Sequence, residues 1–325
     1  MAAVCRSKER LIKAIGHLPG VRCLGTALVS DTQLIQSGAK APHSKEALNS
    51  TVTELTYPFA DIDLARRLER TEAQGNINFV EARARAFPDR GATWIEVAGA
   101  FALFDGAGSP ATQTFGLGVF EPISTEQMDQ IEEFFRSRGA EVFHEVSPLA
   151  DASVWQLFRE RNYQPVEFSN VLYRPISVDL RLNAPRNEDI KVRLVEKNEV
   201  DLWAQKASEG WREFTEVADF MRELNRVAAE SKGLKFVADL HGQTIATGAL
   251  TIAGDVALLA GASTIPAARR QGAQLALLEE RLRYAATQGC TVAMMGTLPG
   301  SGSQRNSERH GFRIAYTRTK WTRLT

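Results

Sequence analysis

The apolar and polar positions change period several times along the chain, and each change predicts an element. Between Asp61 and Phe87, Leu64, Leu68, Ile77, Phe79 and Val80 stand among many charges. That spacing predicts a helix, with a break at Gln74-Gly75-Asn76. Short apolar runs at 93–99, 100–106 and 112–123 predict strands, the last two joined by a hairpin turn over 106–110. Residues 124–139 predict a helix capped by Ser124 or Thr125 and stopped at Gly139. A strand over 140–149, a helix over 151–162 and a strand pair over 163–176 end this half, with a linker near 176–189.

The same order then returns. A strand at 190–196 precedes two helices within 197–232, a hairpin built from 234–242 and 243–254, and a strand at 255–266. Residues 269–289 hold the strongest helical period, with Leu275, Leu278, Leu282 and Ala285 on one stripe. A buried strand (290–296), a short helix (303–311) and two last strands over 312–324 complete the prediction. Tyr163 falls over Phe312, 149 positions on, and Gly139 falls over Gly289. Solenoid periods run about 20–50 residues, so a repeat this long is a duplicated unit.

Composition narrows the partners. The chain has 325 residues, 44% of them hydrophobic, enough for two ordinary cores. Its 39 basic and 39 acidic side chains cancel, which argues against nucleic acid or an anionic membrane and favours a small molecule or local peptide. Three cysteines without ligand spacing predict neither a disulfide scaffold nor a metal site. No apolar run reaches the ~18 residues of a membrane span. The start of the sequence lacks the continuous apolar core of a signal peptide, so a cytoplasmic location is expected. Residues 1–56 read as a poorly ordered extension, in which residues 10–18 could form one short amphipathic helix.

Chemistry concentrates in residues 263–278. A strand ends, Pro266 stops it, and the basic turn Arg269-Arg270-Gln271-Gly272 opens the long helix. Free N–H groups and the dipole of a helix start bind phosphate oxygens, and a glycine lets the backbone approach them. The order of strand, Pro-x-x-Arg-x-x-Gly-x-Ala-type loop, helix, strand, and helix ending in Gly311-Phe312 resembles the Gcn5-related N-acetyltransferases over roughly 190–325.

The resemblance implies an α/β (α+β) fold with two tandem domains, each a mixed, mostly antiparallel twisted sheet flanked by helices. They are expected at 57–178 and 190–325. It implies acetyl-CoA as co-substrate, with Arg269, Arg270, Gln271, Gly272, Ala273 and Gln274 around its pyrophosphate. Ala262, Ser263 and Thr264, on the strand before, would meet the pantetheine arm through a splay towards the next strand. Gln274 departs from the family's small residue, and its amide could crowd the phosphates or donate to them.

Many relatives carry a tyrosine as general acid five residues before the Phe; that position is Ser307 here. A serine hydroxyl is a far weaker acid than a phenol, so Tyr316 is a second candidate. Glu209 is the candidate base, and Trp211 and Phe214 line either the acceptor pocket or the core. Cys290 reads as a small buried hydrophobe.

The first half lacks the loop. Pro122 and Gly139 lie 17 positions apart, whereas Pro266 and Gly289 lie 23 apart. Its helix start carries acids and neither arginine nor glycine, and Phe158 stands over Ser307. A degenerate first copy would wall an acceptor cleft between the domains. The expected activity is direct transfer of acetyl from acetyl-CoA to a primary amine of a small molecule or peptide. The alternative is a catalytically weak acyl-CoA sensor. A third reading, aminoacyl transfer from tRNA, is disfavoured by the neutral charge and the intact loop.

Overall fold

The computed structural model describes residues 56–182 and 184–323. The N-terminal extension and its helix at 10–18 lie outside these residues. The first helix, α1 (Ile62–Ala86), starts at Asp61, whose carboxylate accepts from Leu64 N at 3.0 Å. It runs unbroken through Gln74-Gly75-Asn76, contrary to the expected break. Gly75 is instead a point of close packing: a Cβ there would lie 2.9 Å from Leu258 Cδ2. Glycine costs about 1 kcal/mol inside a helix, and here it lets α1 lie directly on the sheet.

The first half continues with β1 (Thr93–Val97), β2 (Ala100–Phe104), β3 (Gln113–Phe115), α2 (Thr125–Arg136), β4 (Phe143–Val146), α3 (Ala152–Glu160) and β5 (Tyr163–Pro175). The second comprises β6 (Ile190–Leu194), α4 (Val200–Glu209), α5 (Ala218–Glu230), β7 (Leu234–Leu240), β8 (Gln243–Ala253), β9 (Val256–Thr264), α6 (Ala273–Thr287), β10 (Val292–Thr297), α7 (Gly302–Arg309) and β11 (Arg313–Arg323). The strand predicted over 112–123 is cut short where Gly116 and Gly118 take positive φ. The pairs predicted at 163–176 and 312–324 are each one long strand.

All eleven strands form one sheet, ordered β1-β2-β3-β4-β11-β5-β10-β9-β8-β7-β6. Apart from β6, the order is a palindrome of the two halves about the β5–β11 pair. Each half gives its last strand to the other: β11 pairs with β4, and β5 pairs with β10. The two exchanged strands then pair with each other, from Arg313 opposite Tyr173 to Arg323 opposite Tyr163. Ser169 to Arg174 are consecutively buried, as expected of a strand covered on both faces. The linker is packed too, with Ile176, Leu180 and Leu182 in the core under α6. The opposite face carries α1, α4 and α5, where Trp211 is buried among Phe79, Val217, Met221 and Leu224. Trp211 is therefore core, and Cys290 is likewise buried in the core under α6. Among the described residues, no helix is long and apolar enough to cross a membrane.

Candidate functional site

The site is built where β9 and β10 part. They pair in parallel only as far as Leu258 opposite Met294, though β9 runs on to Thr264 and β10 to Thr297. A bulge in β9 turns it away: Ala260 faces Ala249 and Ser263 faces Thr247, so β9 spends one extra residue. Gly261 makes this possible with φ +60 and sits against the Trp203 ring. The parted strands leave backbone groups for an extended, peptide-like ligand.

Past β9, Pro266–Ala268 form one 3-10 turn and the loop reaches Gly272, with φ +92, at the start of α6. No side chain among the described residues caps this helix. Its first bond back to the loop runs from Ala276 N to Gly272 O (3.1 Å), so the N–H groups of Ala273, Gln274 and Leu275 lie in the unpaired first turn. The matching helix of the first half, α2, is closed by a capping box between Ser124 and Gln127, with Glu126 in its first turn. Two helix starts in equivalent positions thus differ: side chains close one, and no side chain among the described residues caps the other.

A cavity of about 400 Å³ runs from this helix start to β10 and α7. Eight of the nine residues predicted for the coenzyme line it: Ala262, Ser263, Thr264, Arg269, Arg270, Gly272, Ala273 and Gln274. Gln271 does not; its carbonyl accepts from Asn187 Nδ2 at 3.0 Å, which fixes the loop from outside. Arg269 holds the loop from the other side, pairing with Glu213 (2.6 Å) and donating to the Gly210 carbonyl (3.1 Å). Arg270 is exposed. The Gln274 amide donates to Thr264 Oγ1 at 2.7 Å, which draws this long side chain back to β9.

The three catalytic candidates separate. Ser307 does line the cavity. Its hydroxyl lies 2.8 Å from both the Ser303 carbonyl and the Met295 sulfur, so its single proton is engaged inside α7. Glu209 lies away from the cavity, in a groove between α4 and α5. Burial raises its pKa, but hydrogen bonds from Lys206 and Gln205 outweigh that and leave it lowered, which makes a poor base. Tyr316 is corrected outright. It sits under α1 at the central seam, donates to Glu69 Oε1 at 2.9 Å, and does not line the cavity.

That seam holds Glu69 and Glu72 of α1, Glu145 of β4, and Arg318 and Tyr316 of β11, all buried. One guanidinium faces three carboxylates: Arg318 Nη1 donates to Glu145 (2.9 Å), Nη2 to Glu72, and Nε lies 3.3 Å from Glu69. Burial pushes the Glu69 carboxyl up to about 7, against the pull of Arg318. The folded chain therefore keeps a proton that the unfolded chain releases above its ordinary pKa. The associated stability is present below that pKa and is lost as pH rises to about 7. Glu69→Gln, which does not titrate, should lack this loss. Relative to wild type it should gain on the order of 3 kcal/mol between pH 4.5 and pH 8, read by urea unfolding at both pH values.

Two titratable lining residues were missed from sequence. His310 caps the C-terminal end of α7. Burial, with Arg174 and Arg309 nearby, holds its pKa below the usual histidine value, so it is neutral at pH 7. Arg281, on the cavity face of α6, is only 3% exposed. It follows Leu277 and Leu278 within the apolar stripe, and that position was the signal available.

No protein-family model and no curated protein sequence matches the chain. Among solved structures, a Gcn5-related N-acetyltransferase from Kribbella flavida is similar over 81% of this chain and 96% of its own, with TM-score 0.55 and 17% identity. A Gcn5-related N-acetyltransferase from Sphaerobacter thermophilus (64% and 70% covered, TM-score 0.44, 18% identity) is a weaker likeness. So is a tandem protein of the same fold from the clavulanic acid biosynthesis pathway (61% and 68% covered, TM-score 0.44, 13% identity). The first likeness shows the fold, and nothing further rests on the other two.

Proposed function

We propose that this chain, which has the fold of the Gcn5-related N-acetyltransferases, transfers an acetyl group from acetyl-CoA to a primary amine of a small molecule or peptide. One observation carries the reading. The cavity opens at an uncapped helix start, and its titratable lining is Arg269, Arg270, Arg281 and His310, with no carboxylate among the described residues. Such a lining suits a polyanion with an extended tail. Ala273, Gln274 and Leu275 would hold the pyrophosphate by their N–H groups, and β9 beyond the bulge would hold the pantetheine arm.

Acetyl-CoA, when bound, supplies the acyl group as an activated thioester. The protein's part is to orient it, exclude water and take up a proton. His310, neutral and in the cavity wall, is the lining group able to accept the proton of the attacking amine. An acceptor site bordered by the first half is part of the same proposal; α1 of that half packs on β8 and β9. The location in the cytoplasm and the division into domains at 57–178 and 190–325 belong to the same proposal.

A second reading, an acyl-CoA sensor without turnover, is favoured by the engaged hydroxyl of Ser307. Thiol release from acetyl-CoA with a panel of amines, amino acids and aminoglycosides decides between them. The enzyme reading expects release that depends on one class of amine. Binding of acetyl-CoA without release from any amine would leave the sensor.

A further inference from the structure

Arg281 is the most unusual charge in the second half. Its backbone lies about two and a half turns along α6 from Gly272, roughly 13 Å at 1.5 Å per residue, and its side chain folds back one turn onto Leu277, so the guanidinium meets the cavity deeper in than the helix start. The guanidinium is held rigidly. Nε donates to the Leu277 carbonyl at 3.1 Å, and Nη1 donates to the carbonyls of Ala249 (2.9 Å) and Ala260 (3.1 Å). It packs flat on Gly248, where a Cβ would come within 2.9 Å of its central carbon. Gly248 is therefore a glycine so that this arginine can lie on the strand.

No carboxylate among the described residues pairs with it, and a buried cation without a counter-charge is costly. Burial lowers its pKa to about 10, which still leaves it charged at neutral pH. Nε and Nη1 are consumed by backbone carbonyls, which leaves the two N–H groups of Nη2. A pair of donors on one nitrogen suits a single anionic atom better than the two oxygens of a carboxylate, which prefer a two-nitrogen fork. Ala260, whose carbonyl it binds, is the residue at which β9 begins its bulge.

We propose that Arg281 is a catalytic residue that stabilises the coenzyme thiolate as it leaves, in place of a general acid. The inference rests on the acetyl-CoA reading of the cavity. In the step, the amine nitrogen forms a bond to the thioester carbonyl carbon and the carbon–sulfur bond breaks. The electron pair departs on sulfur beside Nη2. His310 takes the proton from nitrogen, and the thiolate is later protonated from solvent. This explains how the site can work with Ser307 in the acid position.

The test compares coenzyme A with desulfo-coenzyme A, which has no thiol, by titration calorimetry on the full chain from pH 6 to pH 9. In the wild type, the preference for coenzyme A should rise with pH and reach roughly tenfold near pH 8, the value expected of a charge-assisted contact. In Arg281→Met the preference should vanish while desulfo-coenzyme A still binds, and Arg281→Lys should retain part of it. A preference that does not change with pH in the wild type overturns the proposal, whatever the folding of the variants. Tighter binding of succinyl-CoA than of acetyl-CoA, lost in Arg281→Met, would also overturn it by assigning the cation to an acyl carboxylate. If neither coenzyme A nor its desulfo analogue binds the wild type, the acetyl-CoA reading falls first and takes this proposal with it.

Discussion

Expressed without residues 1–183, the rest of the chain will not fold. Strand β5 lies between β10 and β11, so removing it leaves those two strands of the second half with no partner on that side. β11 also loses β4, its other neighbour. Unpaired central strands present a row of free N–H and C=O groups, which favours aggregation. The lost apolar contacts point the same way. Val171, Leu172 and Tyr173 are at most 5% exposed, and each such side chain is worth about 1.5–3 kcal/mol of burial. Helix α1 additionally covers Val256, Leu258, Val292 and Met294. The total exceeds much of the ~5–15 kcal/mol that keeps an ordinary domain folded. Co-expression of residues 1–183 with 184–325 should restore a soluble one-to-one complex, seen by size exclusion and circular dichroism. A soluble, cooperatively unfolding 184–325 fragment would mean that the exchanged strands are dispensable.

The second large effect is expected at the helix start. Gly272→Glu should weaken coenzyme A binding at least about 100-fold while the fold survives. A side chain at φ +92 is strained by roughly 1–3 kcal/mol. Space is not the obstacle, since a Cβ there meets Asn187 Cβ at an ordinary 3.5 Å. The decisive term is charge: a carboxylate at this point occupies the unpaired N–H groups of α6 and repels a pyrophosphate. Ser124 and Glu126 already fill the equivalent start of α2. Gly272→Ala separates the two causes, because it carries the backbone strain without the charge and should lose far less. Equal affinities for wild type and Gly272→Glu would place the phosphates elsewhere.

The strand, loop and helix around Gly272 were legible because everything they need is contiguous: Pro266 ends a strand, Gly272 permits the turn, and the next residues begin a strong helix. The duplication was legible for a similar reason, since Tyr163 over Phe312 repeats a local pattern. The strand exchange was not. Sequence pattern marks 163–176 and 312–324 as extended and reads each as two strands, and nothing in it says that each is one long strand paired with the other half. Tyr316 and Ser307 show the same limit on a smaller scale. Both lie near the Gly311-Phe312 end, yet strand alternation sends the tyrosine under α1 and the helix locks the serine hydroxyl. Gly75 misled because glycine is a common breaker, and only the neighbouring Leu258 side chain shows why it is needed. Sequence offers Glu209 as a candidate base beside Trp211, for which it leaves pocket and core both open, and Trp211 proved to be core.

The central claim is that the cavity between α6 and α7 is the site of coenzyme A. It is tested most directly by a crystal structure of the full chain with coenzyme A bound. The pyrophosphate is expected against the N–H groups of Ala273, Gln274 and Leu275, the pantetheine arm along β9 past Gly261, and the sulfur beside the Arg281 guanidinium. A coenzyme bound in any other place, or one whose pyrophosphate does not touch the start of α6, would contradict it.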